Sequence, residues 1–290
     1  MNKITKIGAE NAEFQIIRAL KTNREKRNKL REIFIEGIEC VKQAAKCNLE
    51  ITRIISADIE GLSGWGKELI GKNNNAKIIE MSAPLFNSLC DKSVPAELLA
   101  TAKINRYELA GLEEELNENI KAPFIVVFDR PSDYGNLGTL IRSANAFGVD
   151  AFIITGHGID VYESKVIRSS LGSVFSTKVV NADSMDALKA FVEGQKSKNN
   201  LQIIGTDSAG EDSLADAAIK RPVMLVIGNE AKGMSVKLNA LCDRVIRIPM
   251  GGAVNSLNVS CAASILMWEI YKNSGKGNGE EEGQVRRDSA

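Results

Sequence analysis

The chain has 290 residues, which is enough for about two domains of ordinary size. Its composition, 44% hydrophobic and 26% charged, excludes a chain that is disordered throughout. The 37 basic and 37 acidic residues leave no net charge, so the overall balance indicates no partner. The apolar runs are far shorter than the roughly twenty residues of a membrane-spanning helix, and residues 1–14 do not have the pattern of a secretory signal. We therefore expect a cytoplasmic protein without a membrane partner.

The cysteines and the histidine do not form the pattern of a metal or disulfide site. The five cysteines are scattered, and none belongs to a CxxC pair. His157 is the one histidine, stands between two glycines and is expected in a loop. A Ser-His-Asp hydrolase is disfavoured because no GxSxG motif is present. We expect no metal ion.

A basic segment is the strongest local charge feature of the chain. Residues 18–31 hold seven basic side chains and one acidic side chain, a local charge of +6. This charge favours contact with RNA or another polyanion. The alternative is a solvated helix face whose opposite side is buried through Phe14, Ile17 and Leu20. The RNA contacts predicted in this segment are Arg18, Lys21, Arg24 and Arg27.

Apolar runs that alternate with helical patterns predict an α/β domain in each half of the chain. We expect the first domain over residues 1–107 and an acidic linker over 108–122. The second domain, 123–273, has continuous apolar strands separated by helices, which predicts a mostly parallel sheet covered on both faces. Its last helix, 256–271, is apolar nearly all round and is expected in a core or against a partner subunit. Residues 274–290 are predicted to be a disordered tail.

Three loops rich in glycine, asparagine and serine follow predicted strands of the second domain, where open α/β sheets bind their ligands. They are DRPSDYGNLGTLIR (129–142), GNEAKGMS (228–235) and IPMGGAVNSLNVS (248–260). None contains GxGxxG or GxxxxGK[ST], which disfavours dinucleotide and Walker-type sites. The glycines would let main-chain groups approach a planar ligand such as adenine, although each one alone could be a turn residue.

The three loops resemble the three motifs of the SpoU (TrmH) branch of the SPOUT RNA methyltransferases. We call them the first, second and third motif loops. The matching positions are Asn136, Gly138, Arg142, Ala146, Phe147 and Gly148, then Gly228, Glu230 and Gly233, then Ile248, Pro249, Met250 and Ser256–Ser260. The first domain also resembles the family's RNA substrate-binding domain, which has a fold like that of certain ribosomal proteins. Phe34, Glu36 and Gly37, which follow the basic segment, carry this second likeness.

The resemblance implies a methyl transfer from S-adenosylmethionine to a ribose 2′-hydroxyl, with ribosomal (23S) RNA as the expected substrate. It also implies a deep trefoil knot and a homodimer that uses the last helix. The implied catalytic residues are Asn136, Arg142, Glu230, Ser256 and Asn258. The expected cofactor-binding residues are Thr206, Gly228, Ile248 and Leu257. Arg168 and Ser170 are expected as further RNA contacts.

The chemistry assigns Arg142 the part of a phosphate clamp, at the start of a helix where main-chain N–H groups could assist. A guanidinium holds its proton too firmly to act as a base, so the phosphate or water would take the hydroxyl proton. Glu230 either orients its loop or takes part directly. Three alternatives stay open: a transfer-RNA 2′-O-methyltransferase, a non-catalytic RNA-binding protein on the same fold, and a structural dimer whose glycine loops are only turns.

Overall fold

The computed structural model describes residues 3–91, 95–104, 106–156 and 158–274. The chain divides into two compact units. The first consists of the residues up to Tyr107 with Asp133–Arg142 and Gly158–Lys178, and the second holds the remainder. The loop predicted at His157 and residues 275–290 of the predicted tail lie outside the described residues.

The first unit is built on a mixed sheet. Its elements up to residue 103 are β1 (Ile4–Ile7), α1 (Ala12–Thr22), α2 (Arg24–Leu30), β2 (Glu32–Glu36), α3 (Ile38–Lys46), β3 (Ile51–Ser56), α4 (Gly64–Lys72), β4 (Lys77–Met81), α5 (Ala83–Leu89) and β5 (Leu99–Lys103). Strand β4 lies between β1 and β3 and is parallel to both. Strand β5 lies between β3 and β2 and is antiparallel to both.

The basic segment forms two helices because Asn23 interrupts it. Asn23 has extended backbone angles, and its side chain accepts a hydrogen bond of 3.0 Å from the N–H of Lys26. It therefore ends α1 and caps α2, as asparagine commonly does. On α1, the side chains of Phe14, Ile17 and Leu20 are buried in the core of the first unit, as their spacing predicts.

The rest of the chain alternates strands and helices. The elements are α6 (Leu109–Asn119), β6 (Phe124–Phe128), α7 (Tyr134–Ala146), β7 (Ala151–Ile154), α8 (Ser164–Ser169), β8 (Val179–Asn181), α9 (Met185–Asn199), β9 (Gln202–Thr206), β10 (Asp212–Ser213), β11 (Val223–Ile227), α10 (Val236–Asn239), β12 (Arg244–Arg247) and α11 (Val259–Asn273). Among the described residues, seven strands form the sheet of the second unit in the order β10-β12-β9-β11-β6-β7-β8, and neighbouring strands are parallel. The predicted mostly parallel α/β architecture is confirmed.

The segment expected as a linker forms helix α6 over most of its length. Leu109, Leu112 and Leu116 recur at helical spacing and are buried in the core of the second unit. Residues three or four positions apart lie on the same face of a helix. The acidic side chains between these leucines therefore occupy the other face. This stretch is thus a packed part of the second unit rather than a simple connection.

The last helix begins later than its apolar pattern indicates. Asn258 is the N-cap residue of α11, and its side chain accepts a hydrogen bond of 2.9 Å from the N–H of Ser260. Ser256 and Leu257 consequently belong to the preceding loop. Ala263, Leu266, Met267 and Ile270 are buried. Among the described residues, no helix has both the length and the apolar character that crossing a membrane requires.

Candidate active site and RNA interface

Three predicted cofactor-binding residues meet at the carboxyl edge of the second sheet. Strand β9 lies between β11 and β12 and is parallel to both. Thr206, the last residue of β9, is opposite Ile246 of β12. Gly228 and Ile248 directly follow β11 and β12. Since parallel strands end at the same edge, the sheet brings Thr206, Gly228 and Ile248 together, at the place where such sheets bind ligands.

Asp129 lies at the same edge, directly after β6, and the sequence did not single it out. Its side chain is 1% exposed. Oδ1 accepts hydrogen bonds from Thr155 Oγ1 at 2.6 Å and from Arg130 Nε at 3.1 Å. Oδ2 accepts hydrogen bonds from the Ser235 N–H at 2.7 Å and from a terminal nitrogen of Arg130 at 2.9 Å. Burial raises the pKa of Asp129, but these hydrogen bonds outweigh it and hold the pKa below its ordinary value.

The second motif loop is closed on itself by main-chain hydrogen bonds. Asn229 and Gly233 exchange N–H to carbonyl bonds of 3.0 and 2.9 Å. At Gly228, a Cβ would lie 2.6 Å from the nitrogen of Met234 and 2.7 Å from the carbonyl carbon of Gly233. No other residue fits there without moving the loop, so Gly228 is required by close approach of backbone to backbone. Gly233 has a positive φ of 65°.

Glu230 connects the first and second motif loops. Its Oε2 accepts a hydrogen bond of 2.8 Å from the hydroxyl of Ser132 and one of 3.3 Å from the Ser132 N–H. Asn229 donates to the same oxygen at 3.4 Å. These contacts are those of a residue that orients a loop, one of the two roles that the sequence left open for Glu230.

The third motif loop is exposed between β12 and α11. Residues 251–258, which include Ser256, Leu257 and Asn258, are all exposed, whereas Ile248 is half-buried. A Cβ at Gly251 or Gly252 would meet nothing within 4 Å. The loop is therefore accessible to a ligand.

Helix α7 begins earlier than expected, which changes the position of Arg142. The carboxylate of Asp133 accepts a hydrogen bond of 2.7 Å from the N–H of Asn136, as an N-terminal cap does. Asn136 thus lies in the first turn of α7, which starts at Tyr134. Arg142 lies in the third turn and is exposed. The expectation of free main-chain N–H groups beside Arg142 is wrong, because N–H groups that far into a helix bond to carbonyls of the preceding turn.

Gly138 of the first motif loop allows α7 to pack closely on α8. A Cβ on Gly138 would lie 2.6 Å from the carbonyl oxygen of Val166 and 2.9 Å from the nitrogen of Ser170. The hydroxyl of Ser169 donates to the carbonyl of Lys165 at 2.7 Å. Glycine is therefore required at this position, because a larger residue would clash with the backbone of α8 within the first unit.

Arg168 and Ser170 of α8 have partners within the first unit. Arg168 donates to Oε2 of Glu36 at 2.6 Å and also binds the carboxylate of Asp91. Burial raises the pKa of Asp91, but hydrogen bonds from Lys21 and Arg168 lower it below its usual value. Ser170 is fully buried, and its hydroxyl donates to the carbonyl of Ile167 at 2.9 Å. The expected RNA contact of Ser170 is wrong for this reason, and Arg168 is engaged by two carboxylates.

The four basic residues predicted to bind RNA differ in exposure. Arg27 is buried in an ion pair with Asp160, so its expected RNA contact is wrong. Lys21 donates to the carbonyl of Leu89 at 2.8 Å and to Asp91 at 2.5 Å, and is half-buried. Arg24 is half-buried and Arg18 is exposed. A charge count along the sequence could not separate these cases, because the partners lie far away in the chain.

The cationic surface of α2 includes residues outside the four predicted RNA contacts. Lys29, near the end of α2, and Arg31, which follows it, are both exposed. Lys26 is half-buried.

Among the described residues, no group of three or more histidine, cysteine, aspartate or glutamate side chains is placed to hold a metal ion.

Similarity to known proteins places these features in a family. The model of the SpoU rRNA Methylase family matches residues 123–268, and that of the SpoU L30e-like domain matches residues 11–100. The chain belongs to the SpoU rRNA methylase family. The expected membership of the SpoU (TrmH) RNA methyltransferases is confirmed. The family models cover both motif-bearing halves of the chain.

Relatives extend the similarity over nearly the whole chain. A 23S rRNA (uridine(2479)-2′-O)-methyltransferase from Streptomyces viridochromogenes is 32% identical, over 92% of this chain and 92% of the relative. A protein of Staphylococcus saprophyticus named for the TrmH family of tRNA/rRNA methyltransferases is 31% identical, over 84% and 96%. The crystal structure of the SpoU methyltransferase AviRb from Streptomyces viridochromogenes in complex with AdoMet has a TM-score of 0.81 and 32% identity, covering 91% of this chain and 98% of that chain.

Proposed function

We propose that this protein transfers a methyl group from S-adenosylmethionine to a ribose 2′-hydroxyl of 23S ribosomal RNA. The observation that carries the proposal is the 32% identity, over 92% of both chains, with a relative named for this reaction. The assembly of Thr206, Gly228 and Ile248 at one sheet edge supports it independently. A ribosomal RNA substrate implies a cytoplasmic reaction.

The residues at the carboxyl edge suit an adenosine-containing cofactor. Gly228 and Ile248 offer main-chain groups at strand ends, and the exposed Leu257 offers them in the third motif loop. Thr206 donates its hydroxyl to the carbonyl of Val226 at 3.0 Å, so it helps to fix β11 beside the site. Main-chain donors and acceptors can recognise the edge of an adenine without adding charge. S-adenosylmethionine, when bound, supplies an activated methyl group on a sulfonium.

Arg142 and Asn136 act on the RNA side of the proposed reaction. Arg142 is exposed on α7, and its guanidinium suits a forked contact with a phosphate. Fixing the phosphate orients the adjoining ribose, and alignment of two reactants contributes several kcal/mol to rate enhancement. Arg142 stabilises the charge that develops on the ribose oxygen, and the phosphate or water takes the proton of the ribose hydroxyl. Asn136, Ser256 and Asn258 orient the reactants as neutral groups, and Glu230 holds the loops.

We assign the substrate to ribosomal rather than transfer RNA. The Streptomyces relative is named for 23S rRNA, whereas the Staphylococcus relative is named for both RNA classes. The L30e-like match over residues 11–100 supports a substrate-binding domain for a structured RNA. Transfer RNA remains the second candidate because of the mixed name.

The proposed active form is a homodimer that uses α11. Ile265 and Trp268 on this helix are 41% and 46% exposed, which is unusual for large apolar side chains. The ring of Trp268 lies 5.8 Å from that of Phe147 and 6.0 Å from that of Tyr271. An exposed aromatic cluster of this kind suits the core of a protein interface.

We propose two further structural features of this protein. We expect the catalytic domain, 123–273, to contain the deep trefoil knot of the family. We also expect functional domains at 1–107 and 123–273, with residues 108–122 between them in the chain and packed, through α6, in the second unit. Limited proteolysis, followed by mass spectrometry of the fragments, tests the domain limits.

The experiment for the proposed function uses purified protein, labelled S-adenosylmethionine, and separate pools of unmodified ribosomal and transfer RNA. Label in the ribosomal pool alone supports the proposal. Label in transfer RNA alone favours the second candidate. Binding of S-adenosylmethionine without transfer to free 23S RNA, to transfer RNA or to ribosomal assembly particles would support the non-catalytic RNA-binding alternative.

A further inference from the structure

The carboxylate of Asp129 receives hydrogen bonds from three separate segments. Arg130 belongs to the first motif loop, Thr155 follows β7, and Ser235 ends the second motif loop. An ionised carboxylate is an acceptor only, with room for about four donors, and the four donors around Asp129 fill this capacity. Because Asp129 is buried, water does not solvate its negative charge, and these donors compensate it instead. The donors in turn need the carboxylate as their common acceptor.

The network continues from Asp129 to the middle of the second motif loop. Arg130 has a positive φ of 47°, and its N–H donates to Thr155 Oγ1 at 3.1 Å. Its guanidinium donates to the carbonyl of Gly233 at 3.2 Å. The side chain of Asn229 donates to the carbonyl of Arg130 at 2.6 Å. Asp129 and Arg130 together therefore hold the beginning, the turn and the end of this loop.

The second motif loop, which these bonds hold, contains Gly228. A movement of the neighbouring backbone cannot occur there without moving Gly228 as well. The backbone of Gly228 already lies in close contact with Gly233 and Met234, as the distances from its Cβ position demonstrate. A displacement of Gly233 or Ser235 must therefore move Gly228 or open the contact. Small displacements of this kind in a binding site have large effects on function.

We propose that Asp129 is a positioning residue for the cofactor site, which it sets by fixing the second motif loop through Arg130, Thr155 and Ser235. This inference rests on the proposed function for the identity of the cofactor. Asp129 itself is buried and acts through the main-chain groups of the loop.

The test compares Asp129→Asn with Asp150→Asn. Asparagine keeps the size of aspartate, but its NH₂ group would face donors where the carboxylate accepts. Asp150 is a matched control at the opposite edge of the same sheet, where it accepts a hydrogen bond of 2.8 Å from the Phe124 N–H and pairs with Arg221. Isothermal titration with S-adenosylmethionine gives the Kd, urea unfolding gives the stability, and hydrogen exchange reports on residues 228–235.

We expect D129N to raise the Kd about tenfold or more and to speed exchange in residues 228–235. D150N should lower stability but leave the Kd and this exchange within twofold of wild type. Equal Kd and exchange in D129N and wild type would overturn the inference, and so would equal effects of D129N and D150N. If D129N does not fold, Thr155→Val takes its place, because it removes one donor and keeps the shape. An unchanged Kd and unchanged exchange in T155V would then overturn the inference.

The hydrogen-exchange measurement separates the two proposals. A wild-type protein that binds no S-adenosylmethionine would contradict the proposed function. Faster exchange of residues 228–235 in D129N alone would still support the positioning of that loop by Asp129. A wild-type protein that binds the cofactor, with no difference between D129N and D150N, would contradict only the role of Asp129.

Discussion

Arg27 and Asp160 form a buried ion pair, in which Nε of the guanidinium donates to Oδ2 at 2.8 Å and the side chains are 3% and 4% exposed. A terminal nitrogen of Arg27 also donates to the carbonyls of Leu20 and Lys21, both at 2.9 Å. The partners are separated by 133 positions in the chain. One cation of the basic segment therefore stabilises the first unit instead of facing RNA.

Arg27→Ala is expected to destabilise the protein by about 3–5 kcal/mol, because it leaves the buried charge of Asp160 without its closest partner. Urea unfolding measures the change. Arg18→Ala is the matched control, since Arg18 belongs to the same segment but is exposed, and its effect should stay within about 0.5 kcal/mol. Equal stability of the two variants would contradict the structural role of Arg27.

Removing the exposed cations Lys29 and Arg31 is expected to weaken RNA binding. Each phosphate contact that is lost should reduce the slope of log affinity against log salt by roughly one. RNA binding at a series of salt concentrations measures the slope. Lys189 and Lys198 on α9 are also exposed, so their double alanine variant is the control with the same change of charge. An unchanged slope in the Lys29 and Arg31 variant would exclude this surface from the RNA interface.

Arg142→Ala is expected to reduce methyl transfer at least a hundredfold, because a stabiliser of developing charge is removed. Its exposure on α7 predicts nearly unchanged folding. Arg142→Lys keeps the charge without the forked geometry and should have intermediate activity. Single-turnover kinetics, with urea unfolding beside them, test both variants. Wild-type turnover in R142A would remove Arg142 from the reaction.

Trp268→Glu is expected to convert the proposed dimer to a monomer, because a charge would be buried in an apolar interface. Light scattering during size-exclusion chromatography measures the mass. Ser197→Glu, on the exposed surface of α9, is the control for one added negative charge and should leave the mass unchanged. A dimeric W268E protein would contradict the use of this face of α11.

The lowered pKa of Asp129 predicts a dependence of stability on pH. A carboxylate whose folded pKa lies below its unfolded value of about 3.9 stabilises the folded state above that value. The contribution disappears as the pH falls through the folded pKa. The stability difference between wild type and D129N should therefore be constant near neutral pH and shrink below about pH 4. A difference that stays constant down to pH 2 in urea titrations would contradict this linkage.

The sequence predicted the long buried strands well because their apolar character is continuous. Runs at 124–128, 151–155, 201–205, 223–227 and 244–248 predict five strands, and β6, β7, β9, β11 and β12 begin and end within one residue of these runs. Strands β8 and β10 were not predicted, since three and two residues give too little pattern. Helix α6 was hidden because its acidic residues masked the regular spacing of Leu109, Leu112 and Leu116.

The candidate site was predicted in part. Motif resemblance identified Gly228 and Ile248, and the strand register explains why they meet. The same resemblance did not find Asp129, because a single aspartate after an apolar strand carries no signal of its four donors. The orientation of Arg27 and Ser170 was equally hidden, because burial depends on partners distant in the chain. Charge indicated where RNA could bind, but not which cations face solvent.

Nucleoside analysis of the methylated RNA decides whether the methyl group is transferred to a ribose. RNA labelled by the wild-type protein would be digested to nucleosides and separated with mass detection, with the R142A protein as the control. We predict label in a 2′-O-methylnucleoside from 23S RNA, and almost none with R142A. Label on a base, or equal labelling by the two proteins, would contradict a ribose methyltransfer that depends on Arg142.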